Sequence, residues 1–349
     1  MKKRVLNVGI AGFGMSGKIF QAPFLHADEN FAIRKVYERN SERAREEYPY
    51  IETVRSFEEL LTEDIDLVII STPNDLHVPM AKKAMLAGKH VLAEKPVAAT
   101  AAEAEELCRL AKEQGVVFTV FQNRRLDGDF LTVKNLVQSG ILGEVLDYEV
   151  HYDRYVTGVS SKAWKAAGGK GVDILYDLGV HIIDQAYTLF GMPKEVYADL
   201  RKQRAESAGT DKFEVILYYE NAKAVLSAGE VVAMPGPHYA VHGRKGSFIK
   251  HGMDVQEDAL IAGLRPPRED WGREDESMYG TLAKVGKNGI TQEKVPTVSS
   301  NYGLFHANLY SAITEGAPLM VEPMETVDVL KIIEAAILSN ETGARVRMG

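Results

Sequence analysis

"VLNVGIAGFGMSGK", residues Val5–Lys18, runs from an apolar segment directly into a glycine-rich turn. Val5–Ile10 is short and almost wholly apolar, the pattern of a strand covered on both faces. Gly12-x-Gly14-x-x-Gly17 follows, and the residues beyond it can form a helix. In a strand–turn–helix unit each glycine has a separate reason. The first permits the tight turn, the second lets a pyrophosphate approach the backbone, and the third lets helix pack on strand. Free N–H groups and the dipole at the helix start then favour phosphate. Three such glycines alone are a weak sign. A strand before, a helix after and a place near the N-terminus make them a dinucleotide-binding turn.

Working outward, Phe31–Tyr37 reads as a second strand and Ser56-x-x-Glu59 as a capping box opening a short helix. Ile65–Thr72, "IDLVIIST", is a β-branched strand, and "MAKKAMLAG" is a helix that Gly88 ends. His90–Ala93 is the next strand. Thr100-x-x-Glu103 opens a helix closed by Gly115, and Val116–Phe121 is one more strand. Apolar strands separated by helices describe a parallel sheet covered on both sides, the doubly wound Rossmann class of α/β fold. After Asn123 the pattern changes. A helix near Asp129–Ser139 leads into Glu144–Tyr155, "EVLDYEVHYDRY", where Leu146, Tyr148, Val150 and Tyr152 alternate with Asp147, Glu149, His151 and Asp153. Period two means a sheet with one wet face, usually antiparallel. Further strands are expected at 195–200, 213–219, 222–231, 238–242 and 247–251, and helices at 304–315 and 325–339. The expectation is a dinucleotide domain over residues 1–123 and an α+β domain over 124–349 with a large, mainly antiparallel sheet. "RPPREDWGREDES", residues 265–277, reads as an exposed loop.

Composition narrows the function. At 349 residues the chain suits two domains, and 45% hydrophobic with 26% charged residues is ordinary for a globular protein. Against 49 acidic residues, 41 basic ones leave a net charge of −8, which argues against a nucleic-acid partner. The single cysteine, Cys108, excludes an intrachain disulfide and a cysteine-only metal site, and fits a reducing compartment, the cytoplasm. The basic, apolar start is broken by glycines and leads into the turn motif, so no signal peptide is expected. No stretch approaches the ~20 apolar residues of a membrane span.

Three places carry chemistry. The end of the second strand should choose the cofactor, and there Glu38 could accept from ribose hydroxyls while Arg39 could pair with a 2′-phosphate. With both present, NAD and NADP stay open. "AEKPVAAT", Ala93–Thr100, delivers Lys95 past a strand end, on the edge where such folds bind ligands, although a lysine–proline pair after a strand is also an ordinary solvated turn. "YDLGVHIIDQAYTLFG", Tyr176–Gly191, sets Asp177, His181 and Asp184 at i, i+4 and i+7, one side of a helix. The glycine-rich "AAGGKGVD" before it can let backbone pass close to a ligand. In isolation, His181 also suits a hydrogen-bonded core residue and Asp177 an N-cap.

Taken together, the glycine turn, "EKP" after a strand and "DLGVHIID" in the following domain resemble the Gfo/Idh/MocA oxidoreductases across essentially the whole chain. "QNRRLDGDFLTVKNLV", "LGVHIIDQAYTLFGMPKEV" and "HGRKGSFIKHGMDVQEDAL" look closest to the NADP-dependent scyllo-inositol dehydrogenase branch. The resemblance implies that Lys95 positions and polarises the reacting alcohol, that His181 is the general acid/base, and that Asp177 binds substrate and orients proton transfer. It implies a cis peptide before Pro96, which sets where Lys95 points. Cofactor contacts are expected from Gly12, Gly14, Gly17, Glu38, Arg39, Thr72, Pro73, Asn74, His77, Glu94 and Lys95. Asn123, Arg125, Tyr152, Arg154, Tyr155, Trp164 and Tyr176 are candidate polyol contacts, with core packing for Tyr152 and a solvated strand position for Arg154 as the plainer readings. The turn before Asp177 departs from the compact glycine run of relatives.

The implied function is an NAD(P)-dependent dehydrogenase acting on a secondary alcohol of an inositol, sugar or sugar-derived polyol. Histidine, with an ordinary pKa near ~6.5, suits reversible proton transfer, and a lysine cation stabilises developing alkoxide. No metal is required. Two other readings remain: redox-neutral, NAD-dependent glycoside cleavage, and a dinucleotide-sensing regulator without catalysis. The resemblance also implies a homodimer or homotetramer, while the net charge and the lack of a long apolar stretch lead us to expect neither nucleic acid nor membrane among its partners.

Overall fold

The computed structural model describes residues 4–156, 171–207 and 209–349. The chain packs as two compact units: Met1–Asn123 with Gln256–Trp271 and Asn301–Val327, and Arg124–Val255 with Gly272–Ser300 and Asp328–Gly349.

In the first unit β1 (Leu6–Ala11), β2 (Phe31–Tyr37), β3 (Glu52–Val54), β4 (Leu67–Ile70), β5 (His90–Ala93) and β6 (Phe118–Val120) form a sheet in the order β3-β2-β1-β4-β5-β6. Every pair is parallel. Val8, Ile10 and Leu67–Ile70 are fully buried, because helices cover both faces. The strand order reverses between β1 and β4, and the crevice at such a switch point is where open α/β sheets bind ligands. Helices α1 (Ala22–Ala27), α2 (Arg43–Glu47), α3 (His77–Leu86) and α4 (Ala101–Gln114) make the connections. Both capping boxes form, at Ser56–Glu59 and Thr100–Glu103, and Gly115 closes α4 at φ 65°. The three-residue β3 was not anticipated; "ETV" is too short for a period to be read.

The second unit holds nine strands: β7 (Val145–His151), β8 (Glu195–Arg201), β9 (Lys212–Tyr218), β10 (Lys223–Gly229), β11 (Tyr239–Gly243), β12 (Gly246–Lys250), β13 (Gly280–Gly286), β14 (Gly289–Val295) and β15 (Val346–Arg347). Their order is β14-β13-β12-β11-β7-β10-β9-β8-β15. All neighbours are antiparallel except β7 and β10. The alternation in β7 has the expected result. Tyr148 and Val150 are fully buried, with Leu226, Val215, Tyr239 and Phe248 on the same inner side, while Asp147, Glu149 and His151 stay partly exposed. The strand ends at His151 rather than Tyr155, which makes only an isolated bridge to Val231. The β13–β14 hairpin was also not anticipated, although the two-residue turn Lys287–Asn288 between paired glycines is a hairpin signal. Helices α5 (Gly128–Gln138) and α6 (Val180–Phe190) belong to this unit.

The chain then returns. Helix α7 (Gln256–Ile261) and helix α8 (Gly303–Glu315) lie in the first unit, before α9 (Pro323–Thr342). Among the described residues no helix is long and apolar enough to cross a membrane.

Residues 265–277 are mostly exposed, as expected of a loop, but Trp271, Gly272 and Glu274 turn inward. Trp271 is 8% exposed, donates its indole N–H to Gln256 Oε1 at 3.1 Å and meets Phe24 edge-on. Glu274 pairs with Lys250 at 3.0 Å with both side chains essentially dry, and Thr297 donates to the same carboxylate at 2.7 Å. The acidic composition of the segment concealed that its aromatic and one of its acids point inward. Removing one member of a buried pair strands the other charge. Lys250→Met is therefore expected to lower unfolding free energy by about 3–5 kcal/mol, measured by urea denaturation. Lys250→Met/Glu274→Leu should recover much of the loss. A single-variant loss under about 1 kcal/mol, the range of an exposed pair, would refute the assignment.

Candidate active site

The glycine turn can be tested position by position. Gly12 has φ +95°, and a Cβ there would stand 2.8 Å from the Ser71 carbonyl oxygen. At Gly17 it would stand 2.3 Å from the Gly12 carbonyl oxygen, so both positions exclude a side chain. At Gly14 a Cβ meets nothing within 4 Å. That space beside the backbone is what a pyrophosphate needs, and the turn fits a dinucleotide.

Helix α1 is entered through a π-helical turn, Ser16–Gln21, closed by the bond from Ala22 N–H to the Gly17 carbonyl. Such turns are frequent at functional sites. Ser16 and Gln21, at its two ends, both donate to Glu94 Oε1, the glutamine at 2.8 Å and the serine through a short hydrogen bond. His306 in α8 donates from Nε2 to Gln21 Oε1 at 2.8 Å, which orients the amide. Burial pushes the His306 pKa down to about 4, so a neutral ring is the donor. Sequence reasoning missed Ser16, Gln21 and His306. Their only signal is spacing, and His306 comes from a distant segment. Glu94 itself is buried and holds the turn in place.

After β4, Thr72, Pro73 and Asn74 are partly buried, and His77 begins α3. The His77 ring is 1% exposed, with Nδ1 2.9 Å from the Pro96 carbonyl and Nε2 2.8 Å from the Thr72 carbonyl. Burial pushes its pKa down, opposed by the two carbonyls. The ring joins the loop after β4 to the segment carrying Lys95. The Lys95–Pro96 peptide is cis and Lys95 is partly buried. Asn123, 6% exposed, follows β6. Because all six strands run parallel, Gly12–Gly17, Thr72–His77, Glu94–Lys95 and Asn123 share the C-terminal edge of this sheet.

Glu38 and Arg39 follow β2 on that edge and differ sharply. The Glu38 side chain is 2% exposed, and its carboxylate accepts from Ser41 Oγ at 2.6 Å, Arg43 Nε at 3.3 Å and the Ala44 N–H at 2.9 Å. Arg39 is exposed.

In the second unit Asp173 accepts from the N–H groups of Leu175 and Tyr176 at 3.1 and 3.3 Å, so Asp173 rather than Asp177 caps the helix. Another π-helical turn follows, Leu175–Gly179, closed from Val180 N–H to the Leu175 carbonyl and continuous with α6. Asp177 lies in this turn, partly exposed, and His181 lies one turn on at 4% exposure. Asp184, 1% exposed, takes both arms of the Arg125 guanidinium at 2.7 Å. Arg125 thus anchors the segment before α5 to the helix that carries His181. Tyr152 is buried against His238, with ring centroids 4.8 Å apart, and burial pushes its phenol pKa well up, which is core packing. Arg154 is a solvated residue paired with Glu230 at 2.7 Å. Tyr155 is exposed and Tyr176 buried. Trp164 and most of the glycine-rich segment lie outside the described residues.

Burial pushes the Cys108 thiol up to about 11, away from the thiolate form that reacts. Among the described residues no group of three or more His, Cys, Asp or Glu could hold a metal ion.

The glycines separate binding from folding. Gly14→Ala is expected to leave the melting temperature within error yet weaken dinucleotide binding at least tenfold in calorimetry. Gly17→Ala should lower the melting temperature itself. Equal effects of the two on stability would overturn this division.

The comparisons agree with the fold and the turn. Residues 6–122 match the NAD-binding Rossmann fold of the Gfo/Idh/MocA oxidoreductase family, and residues 134–348 match the family's C-terminal alpha/beta domain. The chain is 40% identical over 341 residues to scyllo-inositol 2-dehydrogenase (NADP(+)) IolW of Bacillus subtilis, covering 97% of this chain and 95% of that one. It is 37% identical to the uncharacterized oxidoreductase YdgJ of Escherichia coli, covering 96% of each. The solved structure of yvaA from Bacillus subtilis superposes with a TM-score of 0.97 at 39% identity, over the full length of both chains. With its glycine turn intact and both family domains present, this chain belongs to the Gfo/Idh/MocA family and is an NAD(P)-dependent oxidoreductase.

Proposed function

We propose that this oxidoreductase oxidises a secondary alcohol on a hydroxylated ring, an inositol or a sugar-derived polyol, and reduces the matching ketone in reverse. What carries the reading is the 40% identity, over 97% of the chain, to a scyllo-inositol 2-dehydrogenase. Lys95 at the exit of β5 and the Asp177–His181 pair, one helical turn apart, support it. Bound NAD(P) supplies the two-electron acceptor. In this reading the Lys95 ammonium hydrogen-bonds the reacting oxygen and stabilises the negative charge that develops as its proton leaves. His181 takes that proton at a ring nitrogen and returns it during reduction. Asp177 holds a neighbouring hydroxyl and orients the imidazole. The lone, half-buried thiol suits a reducing compartment, and a cytoplasmic location is part of the proposal.

The proposal extends to a homodimer or homotetramer formed through the outer face of the nine-stranded sheet. There Tyr197, Ile216 and Val225 form a cross-strand row that continues past Glu149 to Ala240 and Ile249. Tyr197, Ile216, Val225 and Ile249 are each partly exposed. Such a row suits coverage by a second copy. Light scattering showing only monomer at micromolar concentration would remove this part alone.

A panel of cyclitols, aldoses and glycosides assayed with NAD and NADP tests the substrate class. His181→Ala is expected to lower turnover by about 10²–10⁴-fold with dinucleotide affinity retained, and Lys95→Ala should behave similarly. Oxidation should slow as pH falls, because a protonated imidazole cannot accept the hydroxyl proton. Activity on none of these ring alcohols, or a His181→Ala enzyme with normal turnover, would sink the proposal.

A further inference from the structure

His77 places both of its ring nitrogens against backbone carbonyls. Nδ1 lies 2.9 Å from the Pro96 oxygen, and Nε2 lies 2.8 Å from the Thr72 oxygen. A carbonyl oxygen only accepts, and a neutral imidazole carries a single N–H. A neutral ring would therefore make one of these bonds and press its lone pair against the other oxygen. An imidazolium makes both.

Neither oxygen is placed to withdraw. Before Thr72, the Ser71 N–H is bonded to the Ala11 carbonyl at 2.8 Å, and after it the Pro73 carbonyl accepts from Leu76 at 3.0 Å. On the other segment the Glu94 N–H is bonded to the Ile70 carbonyl at 3.0 Å, and Val97 and Ala98 are buried after Pro96. Among the described residues no other hydrogen bond reaches either carbonyl. The ring is 1% exposed, so bulk solvent does not supply the second donor.

Burial works against a charge here, and so does the start of α3, since a helix N-terminus disfavours cations. The two carbonyls work for it, as do the acids that face the ring, Glu94 at the exit of β5 and Asp75 in the turn before α3. Glu94 is itself buried, accepts from the neutral Ser16 and Gln21, and has no ion pair among the described residues. A buried carboxylate of this kind is stabilised by a cation held nearby.

We infer that His77 is held as an imidazolium and is a positioning residue, which clamps the loop after β4 to Pro96 and so sets where Lys95 stands. The inference deepens the proposed function and rests on it for the role of Lys95, whereas the charge on the ring is independent of that role. A lysine side chain is flexible, so a fixed backbone is the first condition for placing its ammonium. With both nitrogens on backbone, His77 has no polar atom left for the dinucleotide.

The charge is read directly by NMR of the full-length, dinucleotide-free protein carrying isotope-labelled histidine. Near neutral pH the His77 ring, identified by its proximity to Pro96, is expected to show a proton on each nitrogen. A single N–H would overturn the inference. In the same sample, raising the pH until the ring loses its second proton should shift the Lys95 amide signal, and an unmoved amide would overturn the positioning role. Glutamine offers one donor and one acceptor, as a neutral ring does, so His77→Gln tests the need for the charge in catalysis. On the ring alcohol found by the substrate panel, it should lower turnover about tenfold or more and move dinucleotide affinity by less than about threefold. In a Lys95→Ala background the same substitution should cost less than about twofold, because nothing is left for it to place. Undiminished turnover in His77→Gln, or the full loss on top of Lys95→Ala, would also overturn the positioning role. Normal turnover in Lys95→Ala would instead overturn the proposed function and leave the charge standing. If His77→Gln folds poorly, the two wild-type NMR measurements decide both parts.

Discussion

A carboxylate buried at the end of a strand must be surrounded by donors, because an unpaired buried charge is among the costliest features a fold can contain. Glu94 meets that demand with Ser16 and Gln21, and Gln21 is turned the right way by His306. The requirement ties the glycine turn after β1 to the exit of β5, where Lys95 is the next residue. The π-helical turn serves the same end, since one extra residue in the turn brings both Ser16 and Gln21 to a single oxygen. His77 completes the arrangement by joining the loop after β4 to Pro96. The phosphate turn and the lysine are thereby parts of one hydrogen-bonded edge.

The second unit orders its candidate residues by similar means. Asp184 and Arg125 form a dry, bidentate pair on the helix of His181. On the next residue, Gln185 donates to the Arg124 carbonyl at 3.0 Å and accepts from Tyr239 at 2.9 Å. Gly179 packs so closely that a Cβ there would come within 2.9 Å of Leu175. Buried pairs of this kind contribute little net stability when intact. Their effect here is positional, because a rigid helix presents Asp177 and His181 at a defined height and rotation.

Glu38 shows how one residue type at one sequence distance supports opposite roles. An acid about twenty residues past the glycine turn reads as a ribose partner. Whether it is open or already occupied depends on Ser41, Arg43 and Ala44 folding back onto it. Arg125 and Tyr152, candidate polyol contacts in the sequence, also acquire partners that no sequence window shows: Arg125 grips Asp184, and the Tyr152 ring lies against His238.

What the sequence determined by itself was whatever depends on short range. Strand period, capping boxes, the glycine turn and the Asp177–His181 spacing are set by backbone sterics and local hydrogen bonds, and each was legible in a window of a few residues. The parallel sheet followed, because strands without a polar face have to be covered on both sides. The tertiary structure decided everything that turns on which distant group meets a buried polar atom. That α7 and α8 return to the first unit, that His306 serves Gln21, that Glu274 is dry beside Lys250, and that Glu38 is spent within its own turn all follow from burial. Composition cannot reveal these outcomes. A charged side chain in sequence looks the same whether water or another residue satisfies it, and only the packed chain shows which.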